Sequence, residues 1–129
     1  MNWRMGYRQD PDVDTATAVA QRTGTNIFTI YTPSSAYLRY SQWALVNGQM
    51  NMSRLSEHTG GAAFCLGLHG PVTIQPYLGE LQRSFNNQYL LSFDAKAGKR
   101  AGLQNISLST EVAGVDLSAH DAVWVAGAK

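Results

Sequence analysis

The order in which this chain presents its elements limits its fold more than any other feature. From Asp10 to Phe93 the pattern alternates helix, strand, helix, strand, helix, strand. That rhythm belongs to a parallel sheet with helical crossovers. Only Met1 to Gln9 precede the first helix, and none of them reads as strand. A parallel sheet needs a strand to cross over from. The expectation is therefore the second half of an α/β domain, with a sheet left open on the side of its first strand.

Local signals set the elements. Asp10-Pro11-Asp12 opens a helix: Asp10 caps, Pro11 suits the first helical position, and Asp12 and Asp14 favour the positive end of the dipole. Val13, Ala16, Val19 and Ala20 share a face, and Gly24 supplies a left-handed stop, which predicts a helix from Pro11 to Thr23. Asn26 to Thr32 carries bulky groups on both faces, as a strand covered from two sides does. Ala36 to Val46 is apolar but poorly periodic and reads as loop with a helical turn. Gln49 to Thr59 predicts a helix stopped by Gly60-Gly61, and Ala62 to Leu66 a short strand. After a turn over Gly67 to Pro71, Val72 to Asn86 places Ile74, Leu78, Leu81 and Phe85 on one helical stripe, with Pro76 confined to the first turn.

The pattern then changes. Gln88 to Ala95 reads as a strand and Lys96 to Gly102 as a solvated hairpin loop. Leu103 to Val112 alternates, with Ile106, Leu108, Thr110 and Val112 on one side, as a half-buried antiparallel strand does. Gly114 turns the chain, and Ala122 to Val125 forms a last strand. The resulting expectation is one incomplete α/β domain over residues 1–129, with an N-terminal arm over 1–9 and an antiparallel β extension over 88–129.

Composition excludes several classes. With 129 residues, 44% hydrophobic and 15% charged, the chain suits one globular core. A net charge of +1 gives no footprint for nucleic acid. The N-terminus has no continuous apolar run of the kind a signal peptide needs, and no stretch is long and apolar enough to span a membrane. Cys65 is the single cysteine, so no internal disulfide forms, and a buried structural thiol is expected.

A resemblance adds to this reading. Asn26-Ile-Phe-Thr-Ile-Tyr-Thr32, the run NGQMNMSRLSEHTGGAAF ending at Phe64, and the helix leading through Leu81-Gln-Arg-Ser-Phe-Asn-Asn-Gln-Tyr-Leu-Leu91 resemble the C-terminal half of a bacterial von Willebrand factor type A-like domain. The resemblance covers most of the chain from about Asp10 onward. It implies a partial Rossmann-like three-layer sheet with a C-terminal antiparallel β extension. It also implies a metal-ion-dependent adhesion site, built from an Asp-x-Ser-x-Ser loop, a later Thr and a further Asp. None of these maps onto this sequence, so the resemblance carries over no metal ligand.

Other residue groups carry little chemistry on their own. Asp10, Asp12 and Asp14 mimic the start of a calcium loop, but Thr15 and Gln21 stand where its Gly and Glu belong. Cys65 and His69 lack two further ligands at zinc spacing. Ser118, His120 and Asp121 crowd one turn, whereas triads assemble from distant elements. No catalytic set, metal site or cofactor is therefore expected. The function expected is a non-enzymatic protein-interaction or adhesion-type domain, or its remnant. Its contact residues would be the aromatics Trp3, Tyr7, Tyr37, Tyr40 and Trp43, which make good anchors when exposed. The open sheet edge predicts self-association or a protein partner. The alternative is a small α/β enzyme with His58, His69 or His120 as acid/base in a cleft at the strand ends.

Overall fold

The computed structural model describes residues 9–32, 41–66, 73–96 and 98–128. The predicted turn over Gly67 to Pro71, together with Trp3, Tyr7, Tyr37, Tyr40 and His69, lies outside the described residues. Within them the chain is mixed α/β, with three helices and two separate two-stranded sheets.

Helix α1 (Pro11–Thr23) has the predicted bounds. Asp10 Oδ1 accepts the Asp12 N–H at 3.0 Å, and Pro11 occupies the first turn. Gly24, at φ 67°, closes the far end by donating its N–H to Ala20 O. Replacing Asp10 with Ala removes that cap and is expected to lower stability by about 1 kcal/mol, read as a drop in melting temperature. The buried face is narrower than predicted. Val13 and Ala20 are buried, but Ala16 is exposed and Val19 is 57% exposed. Among the described residues, the fully buried apolar side chains of α1 lie on the Val13 and Ala20 side.

Helix α2 (Gln42–His58) starts seven residues before its predicted N-terminus at Gln49. Ser41 Oγ accepts the Ala44 N–H at 3.2 Å and caps it. This corrects the loop expected up to Val46. The sequence period was blurred because the outward face is apolar too: Trp43, Val46 and Met50 are 41%, 50% and 46% exposed. Leu45 and Leu55 hold the inward face. At the C-terminus Gly60 has φ 68°, its N–H reaching Glu57 O at 3.2 Å and the Gly61 N–H reaching Ser56 O at 2.9 Å. This is the paired glycine stop that the sequence predicted.

Strands β1 (Thr29–Tyr31) and β2 (Ala63–Cys65) pair in parallel, Ile30 beside Phe64. Helix α2 is their crossover, as expected. Ser56 and Thr29 share a hydroxyl hydrogen bond at 3.1 Å, which places the Thr29 side of the sheet against α2. Phe28, Ile30 and Phe64 line the other side. There they meet helix α3 (Gln75–Asn86) through two ring contacts, Phe28–Phe85 at 5.2 Å and Phe64–Tyr77 at 6.0 Å. The cover is thin, and Ile30 stays 37% exposed. Each strand has one strand neighbour among the described residues.

Pro76 lies in the first turn of α3, as it must. The stripe of Ile74, Leu78 and Phe85 is 49%, 40% and 51% exposed, and no residue of this helix is buried. Gly79 sits mid-helix with nothing within 4 Å of the position a Cβ would take. Gly79→Ala is therefore expected to raise stability by about 0.5–1 kcal/mol, measured as a shift in the urea midpoint.

Two predicted strands are corrected. Gln88 to Ala95 has no regular structure; a strand needs an edge to pair with, and none of the described strands lies beside it. Strand β3 (Gly102–Asn105) is four residues long; the Ile106 N–H still reaches Asp121 O at 2.8 Å, but the alternation beyond finds no strand partner among the described residues, with Leu108 and Val112 44% and 64% exposed. The expected hairpin loop is replaced by a bridge between Gly98 and Gly127. Strand β4 (Ala122–Val125) has its predicted bounds and pairs antiparallel with β3. This short ribbon packs on α1, where the Arg22 guanidinium lies 4.6 Å from the Trp124 ring centroid.

Candidate functional site

Three parts of the chain converge on the end of α2. The Asn26–Ile27 loop approaches from one side and the segment 119–121 from the other. Thr59, wholly buried, donates its hydroxyl to Leu55 O at 2.8 Å and accepts the Ile27 N–H at 3.2 Å. Thr59 and His120 form an antiparallel bridge. The carbonyl of His58 accepts from Gln21 Nε2 at 3.0 Å and from the Asp121 N–H at 3.3 Å. The Thr-Gly-Gly stop is thus a structural clamp that fixes the two histidines flanking it in space.

His58 is the last residue of α2. Its Nδ1 hydrogen-bonds the Asp121 carboxylate, which arrives just before β4. The pair opens onto a shallow cavity of about 310 Å³ between α1, α2 and the ribbon, lined also by Gln21 and Asn105. Arg54, 16% exposed, crosses the cavity wall to Asp14 at 2.7 Å. Chemically, a carboxylate on Nδ1 fixes an imidazole ring and leaves Nε2 as the atom able to take or give a proton. Spacing alone could not reveal this pair, because its members lie 63 residues apart.

His120 has a different environment. Asn26 donates its side-chain amide to Gly60 O at 3.3 Å, so its oxygen accepts the Nε2–H of His120 at 2.9 Å. The other ring nitrogen, Nδ1, is buried without a hydrogen-bond partner among the described residues. Burial holds the His120 pKa below the ordinary 6.5, and the nearby Asp121 charge offsets part of that effect. A histidine depressed in this way stays neutral while the unfolded chain takes up a proton. The unfolded state then binds more protons, so stability is flat above about pH 6.5 and falls as pH drops below it. His120→Gln is expected to flatten that acid slope in denaturant titrations repeated across pH; an unchanged slope would assign it to other groups.

Of the predicted contact aromatics, Trp43 alone falls in the described residues. It sits in the first turn of α2 beside Val46 and Met50 on the exposed apolar stripe. Cys65 is exposed at the end of β2, not buried as expected. It lies on the rim of the sheet beside Gln49 and Ser53 of α2, and nothing among the described residues covers it. The larger apolar surface is one that sequence reasoning assigned to the interior. Beyond the half-covered α3 stripe, Tyr89, Leu90, Leu91 and Phe93 are 91%, 95%, 64% and 53% exposed. The signal available in the sequence was their apolar run after a predicted helix, which reads the same for a core strand and for an exposed one.

Among the described residues no group of three or more His, Cys, Asp or Glu side chains could hold a metal ion, and no helix is long and apolar enough to cross a membrane. No family model matches the chain, and neither a curated protein nor a solved structure matches it.

Proposed function

We propose that this chain is a non-enzymatic protein-interaction module whose apolar surface is completed by another polypeptide. One observation carries the reading: α3 buries none of its residues and runs directly into Tyr89 and Leu90, which are almost fully exposed. Extensive exposed apolar surface of this kind marks interaction sites in soluble proteins. The Trp43 stripe on α2 offers a second, smaller anchor. On this reading the parallel pair β1–β2, with α2 on one face and α3 on the other, is part of a Rossmann-like three-layer sheet of the von Willebrand type A-like kind. The helix–strand order and the placement of helices on both faces support that assignment.

The test is a dye that fluoresces on apolar surface, added to the native full chain with far-UV circular dichroism recorded in parallel. Strong enhancement with native ellipticity is the expected result, reduced when Leu90 and Phe93 are changed to Ser. A natively folded chain that leaves the dye dark would overturn the proposal.

The His58–Asp121 pair at an open cavity favours a second reading, a small α/β enzyme with His58 as acid/base. It requires a ring fixed in solution. A downfield Nδ1 proton resonance that is lost in Asp121→Asn supports it; absence of that resonance in the native chain removes it.

A further inference from the structure

The outer edge of β1 and the apolar run that follows α3 are both left uncovered, and the course of α3 brings them together. We infer that residues 89–93 form a strap that closes onto the outer edge of β1 as a third, parallel strand, and that their exposed course in the structure is the released state. The consequence rests on the interaction-module reading: a closed strap withholds from a partner the residues that reading offers to it.

The edge is the first argument. Thr29 donates its N–H to Ala62 O at 3.0 Å, and Tyr31 O accepts the Leu66 N–H at 3.0 Å, so both residues turn these backbone groups toward β2. Such groups alternate in side along a strand, and those of Ile30 therefore point the other way. Among the described residues no strand lies on that side.

The path of α3 is the second argument. Tyr77, near its start, meets Phe64 of β2 at 6.0 Å, and Phe85, near its end, meets Phe28 at the entrance to β1 at 5.2 Å. The helix thus crosses the sheet from β2 back to β1 and delivers the chain to the start of β1. Handedness gives the same answer. Helix α2 links β1 to β2 on one face of the sheet, and α3 lies on the other. A right-handed crossover on the opposite face steps in the opposite direction. Since β2 already holds the inner side of β1, that step ends at its outer edge. Asn87 and Gln88 remain for the turn, and about 2–6 residues is the usual length of such a connection.

Composition is the third. Tyr89, Leu91 and Phe93 alternate with Leu90, Ser92 and Asp94. One side of the segment is therefore apolar throughout, and on closure it extends the face of Phe28, Ile30 and Phe64, where Ile30 is left 37% exposed. Strand β1 is only three residues long, and Asp94 favours water at the far end. Few ladder bonds hold the strap, so a partner can displace it.

Amide hydrogen exchange on the full native chain, read residue by residue by NMR, tests the inference. A strap that never closes exchanges at the rate of a free peptide. The expected result is exchange at least about fivefold slower over residues 89–93. Successive N–H groups point to opposite sides, so one of Leu90→Pro and Leu91→Pro removes a donor from the ladder. That variant should return residues 89–93 to free-peptide rates. Neither side chain is buried, so both variants should keep native ellipticity. Free-peptide rates in the native chain overturn the inference, and so does slowed exchange that survives both prolines. The dye measurement keeps the two readings apart. An unprotected segment in a chain that lights the dye overturns the strap and leaves the interaction surface. A protected segment in a chain that stays dark, native and with either proline, keeps the strap and removes the interaction surface.

Discussion

Gly61→Ala is expected to abolish the stable fold or to cost at least about 3 kcal/mol, in contrast to Gly79→Ala, which should stabilise. A Cβ at position 61 would stand 1.9 Å from the carbonyl oxygen of Ile27 and 2.6 Å from its carbon. Both obstacles are backbone, and a rotamer change cannot relieve them. The Ile27 peptide can retreat only by carrying the entry to β1 away from α2. That would break the Ile27 N–H bond to Thr59 and loosen the Thr29–Ser56 bond behind it. The buried apolar set among the described residues is modest: Val13, Ala20, Leu45, Leu55, Leu66, Ala122 and Val125. A domain of ordinary stability, about 5–15 kcal/mol, has little margin for such a loss. Urea unfolding followed by circular dichroism reads the result. A Gly61→Ala midpoint equal to that of the native chain would mean the two backbones do not approach this closely in solution.

Thr59→Val should be the next most damaging change, lowering stability by about 2–3 kcal/mol. Valine conserves the shape of the side chain, so packing is untouched and the loss isolates the hydroxyl. That hydroxyl is wholly buried and joins the end of α2 to the start of the sheet. Without it the Ile27 N–H loses its acceptor, and an unmet buried donor is more expensive than an absent bond between two exposed groups. Thr59→Ser keeps the hydroxyl and removes one methyl group, for a loss of about 1 kcal/mol. The order matters: Val worse than Ser identifies a hydrogen-bonding role. The reverse order would make Thr59 a packing residue and dissolve the clamp.

These two positions also show how legible the molecule was. The Thr-Gly-Gly element stood out as a helix stop, and it is one. Its second role, letting Ile27 and Ala119 come within contact of a glycine backbone, had no signal at any spacing. The same holds for the candidate site. His58 was named as an acid/base candidate, but its carboxylate partner comes from a segment 63 residues away. Trp43 was named as an anchor and is exposed, yet its helix was missed because Val46 and Met50 beside it are apolar on the outward face. The larger misreading concerned Gln88 to Ala95. Strand propensity there is high, but propensity expresses fit to a pleated, half-buried surface, and the segment joins no such surface among the described residues.

What this amino-acid sequence determined by itself are the features that act over one helical turn or one residue pair. The Asp10 cap, the stops at Gly24 and Gly60, the placement of Pro76 and the bounds of α1 all follow from bonds between near neighbours. Only the tertiary structure decided which apolar residues leave water. Val13 and Val19 look alike in sequence, and one is buried while the other is 57% exposed. The physical reason is that burial belongs to two surfaces. A periodic apolar stripe fixes which side of an element seeks cover, but whether cover arrives depends on where the rest of the polypeptide is free to go.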